Sequence, residues 1–194
     1  MSGSTFAAFR IASCAVRAST ILKTAAERRI FNNNTRSTPL KFTGYAACCF
    51  GIRASEGPGP DIIKADGTER QVFDYAGRGV PYGPDDGTLA PWALVASLPF
   101  APEIVMPAID QCIHKAKLTK LNPYGFKASF NQTHPGVPGN PYGWWLSPWH
   151  YGLNQGPIVL MIENYRSGFL WRLMRNCPYI AGGMRLAGFA GGWL

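Results

Sequence analysis

Two short stretches place carboxylates where they could act on a substrate. Ala54-Ser55-Glu56-Gly57-Pro58-Gly59-Pro60 sets Glu56 on a turn framed by Gly and Pro, and Gly83-Pro84-Asp85-Asp86-Gly87-Thr88 sets two adjacent carboxylates on another. Hydrolysis of a glycosidic bond needs such a pair on separate loops: one carboxyl protonated to serve the leaving oxygen, the other ionised to activate water or attack. The Asp85-Asp86 turn leads straight into an apolar run, so the positive end of a helix would favour the charges there. Structural duties fit the same residues. Ser55 and Glu56 can cap a turn, and Asp85-Asp86-Gly87-Thr88 can form a capping turn or a calcium-like loop.

Aromatic residues gather further along, in Pro141-Tyr142-Gly143-Trp144-Trp145 and Trp149-His150-Tyr151. Flat rings beside carboxylates suit stacking on sugar faces, while the competing reading is core packing. Asn154 and Gln155 precede an apolar stretch and could cap a helix or donate to a ligand hydroxyl. Glu163 lies inside that stretch and is expected to form a helix-fixing ion pair with Arg166 or Arg172, because buried charges are normally paired. No nucleophile elbow, zinc-protease motif or phosphate loop occurs.

The elements that must hold these residues are mostly helical. Residues 61 to 80 read as two strands around an Asp66-Gly67 hairpin signal. Residues 88 to 97 leave no polar face and read as a helix buried on all sides. A second helix begins at Pro102 with Ile104, Val105, Ala108, Ile109, Cys112 and Ile113 on one side. Residues 121 to 151 form a long loop dense in Pro, Gly and aromatics, a composition that points to function rather than disorder. One long helix is expected over Pro157 to Asn176, apolar all round in its first turns and therefore interior, followed by a short helix over 178 to 189.

The chain of 194 residues is 46% hydrophobic and 13% aromatic, enough to fill a core. Of the formal charge of +8, all but one unit falls in residues 1 to 54, which hold eight Lys and Arg against Glu27 alone. The rest is nearly neutral, which argues against a nucleic-acid surface there. The first 26 residues, basic and without acids, read as an amphipathic helix of the domain in preference to a targeting segment. Five cysteines, an odd number without C-x-x-C spacing, imply free thiols and no structural zinc. Ile158 to Ile162 is far shorter than the roughly 20 residues that span a bilayer.

Several longer stretches resemble the glycoamylase-like family, which includes bacterial endo-β-1,2-glucanases and the processing domain of cyclic β-1,2-glucan synthases. They are Pro84-Asp-Asp-Gly-Thr-Leu-Ala-Pro, Ala96-Ser-Leu-Pro-Phe-Ala-Pro-Glu, Tyr124-Gly-Phe, Gly152-Leu-Asn-Gln-Gly-Pro-Ile-Val-Leu-Met-Ile-Glu-Asn-Tyr-Arg-Ser-Gly, and the tail from Asn176-Cys-Pro-Tyr-Ile. They cover residues 80 to 188 closely and 41 to 80 more loosely. The family's Trp-Gly-Leu-Thr-Ala-Ser-Asp-Gly-Pro stands here as Phe50-Gly-Ile-Arg-Ala-Ser-Glu56-Gly-Pro, with Glu for Asp.

The resemblance implies a mainly α fold, the C-terminal half of an α/α toroid with a small β-hairpin, in which residues 41 to 194 form that half and residues 1 to 40 a basic helix and loop. It implies a glycoside hydrolase acting on a β-1,2-linked glucan, with Glu56 and Asp86 catalytic and Asp85, Tyr142, Trp144, Trp145, Asn154 and Gln155 contacting sugar. The upstream half, with the general acid expected there, has no counterpart in these matches, so the alternative is a non-catalytic carbohydrate-binding or assembly module that associates through apolar faces. No cofactor and no nucleic-acid partner are expected, in a bacterial periplasmic or cytoplasmic setting.

Overall fold

In the computed structural model the described residues are 42, 44, 51–65, 67–79 and 83–190. The expected N-terminal helix, the basic stretch 1 to 40 and the hairpin position Asp66 lie outside them. The first elements are short strands: β1 (Ala54–Ser55), β2 (Asp61–Ala65), β3 (Thr68–Val72) and β4 (Ala76–Gly77). β2 and β3 pair antiparallel with Ile63 opposite Arg70, forming the hairpin that the sequence predicts. β1 and β4 clamp its base, with Ala54 opposite Gly77 and Ser55 opposite Ala76. That second pairing is two residues long and has no alternating pattern to betray it.

Helix α1 (Pro91–Ala96) starts three residues later than expected. Leu89 is held in a bridge with Phe130, each amide donating to the other's carbonyl at 2.9 Å, so the chain is still extended there. Helix α2 (Pro102–Asp110) opens on proline and runs into a wide π turn over Gln111–Lys115. Two residues beyond the turn stands Lys117, whose φ of 54° is left-handed, at a cost of about 1–2 kcal/mol for a residue with a Cβ. Leu118 beyond it is buried and its amide reaches the Cys112 carbonyl, so packing fixes the reversal.

The core gathers Leu89, Leu94, Val95, Leu98, Val105, Ala108, Cys112, Leu118, Phe126 and Phe130. Cutting any of its leucines to alanine would cost about 2–5 kcal/mol. The long loop lies over this core and contains one small ladder, β5 (Phe130–Asn131) with β6 (Trp145–Leu146).

The expected single helix from Pro157 to Asn176 is two helices. α3 (Gly152–Ser167) begins five residues before Pro157 and stops at Gly168, φ 65°, from which α4 (Phe169–Arg175) departs. Buried Asn164 makes the break: its carbonyl accepts the Gly168 amide at 2.8 Å and its Oδ1 accepts the Trp171 amide at 3.3 Å. α5 (Pro178–Leu186) completes the series. Nor is α3 interior. Asn154 and Asn164 are its buried residues, while Leu153 is 82% exposed and Val159 64%. Glu163 likewise pairs with Arg166 at 3.5 Å in an exposed ion pair rather than a buried one. Among the described residues the helices do not close into a barrel, and none is long and apolar enough to cross a membrane.

Candidate functional site

Glu56 follows β1 and is half-buried. Its backbone carbonyl accepts the Ser129 hydroxyl at 2.7 Å, and its Oε2 accepts the Ser147 hydroxyl at 2.5 Å. Ser147 Oγ in turn accepts the Trp149 amide at 3.2 Å, and the Ser147 amide reaches Ser129 O at 3.0 Å. Of two serines on facing strand ends, Ser147 therefore aims this carboxylate and Ser129 holds its backbone. Isolated serines carry no sequence signal for such a duty, so Ser129 and Ser147 were not foreseen. Next to Glu56, Gly57 is required by space: a Cβ would lie 2.1 Å from Phe73 O and 2.2 Å from Arg78 Nη2.

Asp86 does not share the setting of Glu56. Expected to line a cleft, its side chain is instead fully buried against an equally buried Arg78. Arg78 Nε donates to Asp86 Oδ1 and Nη2 to Oδ2, both at 2.8 Å. The Thr88 amide adds a bond to Oδ1 and the Phe73 amide one to Oδ2, each 3.0 Å. Burial alone would raise the Asp86 pKa. The hydrogen bonds and charge of Arg78, helped by those amides, outweigh it and hold the carboxyl below its ordinary value of 3.8. So enclosed, the Asp86 carboxylate presents no free oxygen at the surface.

The same pair holds the Glu56 loop. The other arm of Arg78, Nη1, donates to Ser55 O at 2.5 Å, and Nη2 also reaches the Phe73 and Asp74 carbonyls at 3.1 Å. Below the pair, buried Asn131 donates to Asp86 O at 2.9 Å and to Thr88 Oγ1 at 3.1 Å, while its Oδ1 accepts the Thr133 and His134 amides. Asp85 stays half-buried beside the knot and accepts the Gly87 amide at 3.4 Å.

Tyr151 lies within electrostatic reach of Glu56. Its hydroxyl pKa is raised, first by partial desolvation and then by the negative charges of Glu56 and Asp74. Trp149 is 55% exposed nearby in sequence. His150 is held below its ordinary value by burial and then by the Lys127 charge, against the opposing pull of a hydrogen bond to the Phe126 backbone. Gln155 donates to Phe126 O at 2.8 Å and so fastens α3 to the long loop. His134, across the Asn131 knot, is likewise lowered by burial, opposed by Asp61 and Asp86.

The expected sugar contacts divide. Trp145 is 8% exposed and leaves little ring surface for a sugar. Asn154 is also buried, in the first turn of α3. Tyr142 and Trp144 do stand together, ring centroids 4.8 Å apart, on the wall of an open cavity.

The chain has known relatives. The Glycoamylase family model, described as "Putative glucoamylase", matches residues 21–178. The chain belongs to the Glycoamylase family. An exo β-1,2-glucooligosaccharide sophorohydrolase (non-reducing end) of Parabacteroides distasonis is 30% identical over 144 residues, which is 74% of this chain and 17% of that protein. Among solved structures, a Bacteroides uniformis protein with the same description as the family model has a TM-score of 0.62 at 30% identity, over 79% of this chain and 31% of its own. An endo-β-1,2-glucanase of Chitinophaga pinensis, in complex with sophorotriose and glucose, has a TM-score of 0.51 at 27% identity, over 75% of this chain and 29% of its own. The Glycoamylase segment thus spans under a third of these relatives and has the fold of part of their α/α toroid.

Proposed function

We propose that this Glycoamylase-family chain acts on β-1,2-linked glucan by two-carboxylate hydrolysis and that Glu56 is its ionised carboxylate. The observation that carries the reading is the Glu56 side chain itself. It is aimed by the Ser147 hydroxyl and, among the described residues, is not locked in an ion pair. The β-1,2-glucan specificity comes from the relatives, both of which are named for that linkage.

Asp86 is a positioning residue in this reading, since four hydrogen bonds from three residues and full burial leave it nothing to offer a leaving group. The leaving oxygen needs a proton from a second carboxyl. Asp74, exposed and acting electrostatically on the same Tyr151 hydroxyl, is the candidate on this chain.

Incubation of the protein with β-1,2-glucan and chromatography of the products tests both assignments. Glu56→Gln is expected to reduce release of short gluco-oligosaccharides by about 10²–10⁴-fold, the usual worth of a positioned acid or base, with binding of sophorotriose retained in calorimetry. Asp74→Asn does the same if Asp74 is the acid. Unchanged product release in Glu56→Gln overturns the reading.

A second reading, an assembly module, is favoured by one feature: α3, α4 and α5 turn Leu153, Val159, Leu173, Tyr179 and Leu186 outward, all of them more than half exposed. Sophorotriose binding without hydrolysis, together with concentration-dependent association in sedimentation, would support it.

A further inference from the structure

We infer that the cavity beside the π turn is an accessory site for an anionic sugar unit, separate from the Glu56 carboxylate. The cavity is about 310 Å³ and is lined on one side by Lys115, Lys117 and Lys120 and on the other by Tyr142 and Trp144. That volume falls at the small end of ligand sites, the size range of one or two sugar rings rather than a long chain.

The three lysines come to line one cavity because of the backbone, not by chance spacing. On a regular helix, residues two and five apart point in different directions. Here the π turn ends at Lys115, Lys117 reverses the chain with its left-handed φ, and Lys120 returns in the next turn, its amide donating to Lys117 O at 3.0 Å. The Tyr142 hydroxyl also donates to Lys117 O at 3.0 Å, tying the aromatic wall to the lysine wall.

The acids nearby do not neutralise the cluster. Among the described residues none of the three lysines forms an ion pair, and Asp110 is turned to His114 at 3.6 Å. Three unpaired cations around one cavity favour an anion, and lysine suits a phosphate or carboxylate as a point charge.

The opposite wall asks for more than an ion. Tyr142 and Trp144 meet at 45°, Trp144 leans on buried Phe130 with centroids 5.7 Å apart, and Asn140 braces the turn by donating to Trp144 O at 3.0 Å and accepting the Tyr142 amide at 2.9 Å. Rigid aromatic faces next to cations suit a ring with an apolar face and a charged substituent, which is what an acidic or phosphorylated sugar presents. From Trp144 the chain runs through β6 to Ser147, the partner of Glu56, about 10 Å away at the rise of an extended strand. One saccharide carrying an anionic group could therefore meet both places.

The test is calorimetric titration of the full chain with glucose 6-phosphate, glucuronate, glucose and inorganic phosphate, with tryptophan fluorescence as a second readout. Glucose 6-phosphate or glucuronate is expected to bind at least about tenfold tighter than either glucose or phosphate, and Lys115→Gln/Lys120→Gln to lose about tenfold or more per lysine at an unchanged melting temperature. Trp144→Leu should weaken the sugar acids while leaving any binding of phosphate alone as it was. Equal affinity for glucose and its phosphate overturns the inference, as does equal affinity for inorganic phosphate, or binding that survives loss of both lysines. Glu56→Gln leaves this titration unchanged, so a failure of the hydrolytic reading and a failure of this one are told apart.

Discussion

Asp86 and Glu56 show how two carboxylates on similar turns come to different work. Asp86 has a guanidinium and two amides on its oxygens and no solvent. Glu56 keeps one oxygen for Ser147 and stays at the surface of its loop. The difference has a pH signature. The Asp86 pKa is lowered by folding, so its contribution is complete above the unfolded value near 3.8 and is lost as pH falls through the folded value. Stability of the wild-type chain should therefore drop below about pH 4 by proton uptake at this site. Asp86→Asn, which leaves Arg78 buried without its counter-charge, is expected to cost about 3–5 kcal/mol near neutral pH and to lose that acid sensitivity. Urea unfolding at pH 7 and pH 3 measures both, and a cost below about 1 kcal/mol at pH 7 would show that Arg78 finds another partner.

At the scale of elements, the loop 54–60 depends on Gly57 more than on either of its prolines. With Phe73 O and Arg78 Nη2 already within 2.2 Å of where a Cβ would stand, Gly57→Ala must push the Glu56 loop away from the Arg78 pair. The expected result is a loss of several kcal/mol, on the scale of severe overpacking, with Gly59→Ala a useful contrast because open space surrounds that position despite its φ of 108°. Thermal melts of the two variants separate a steric clash from simple backbone strain.

These elements also mark how far the sequence is legible. The β2–β3 hairpin follows from alternation around Asp66-Gly67, and α2 from a proline start and an apolar stripe, because both signals are local. Arg78 gave none: its partner is eight residues away on another turn, and only the folded chain brings Ser55, Phe73 and Asp86 around it. Gly168 was legible in principle as a helix stop, but the continuing apolar pattern of Phe169 to Met174 concealed it. The family fold was readable through long shared stretches. The burial of Trp145 and Asp86 was not, since composition cannot say which face of a loop meets the core.

At the scale of the molecule, order and regular structure are distributed in opposite senses. The irregular loops around Arg78, Asp86 and Asn131 are knotted by buried side chains, whereas α4 and α5 have no buried residue and rest mainly on their helical bonds. A map of amide deuterium exchange should therefore run against the secondary-structure map. The amides of Thr88, Thr133 and His134, bonded to the side chains of Asp86 and Asn131, are expected to exchange roughly tenfold or more slowly than the mid-helix amides of α4 and α5, because the former open only with the core and the latter by local fraying. Faster exchange in the loops than in those helices would mean that the knot opens on its own. If the loops are the slow part, a protease would trim this chain from its helical end and leave the Glu56 turn standing.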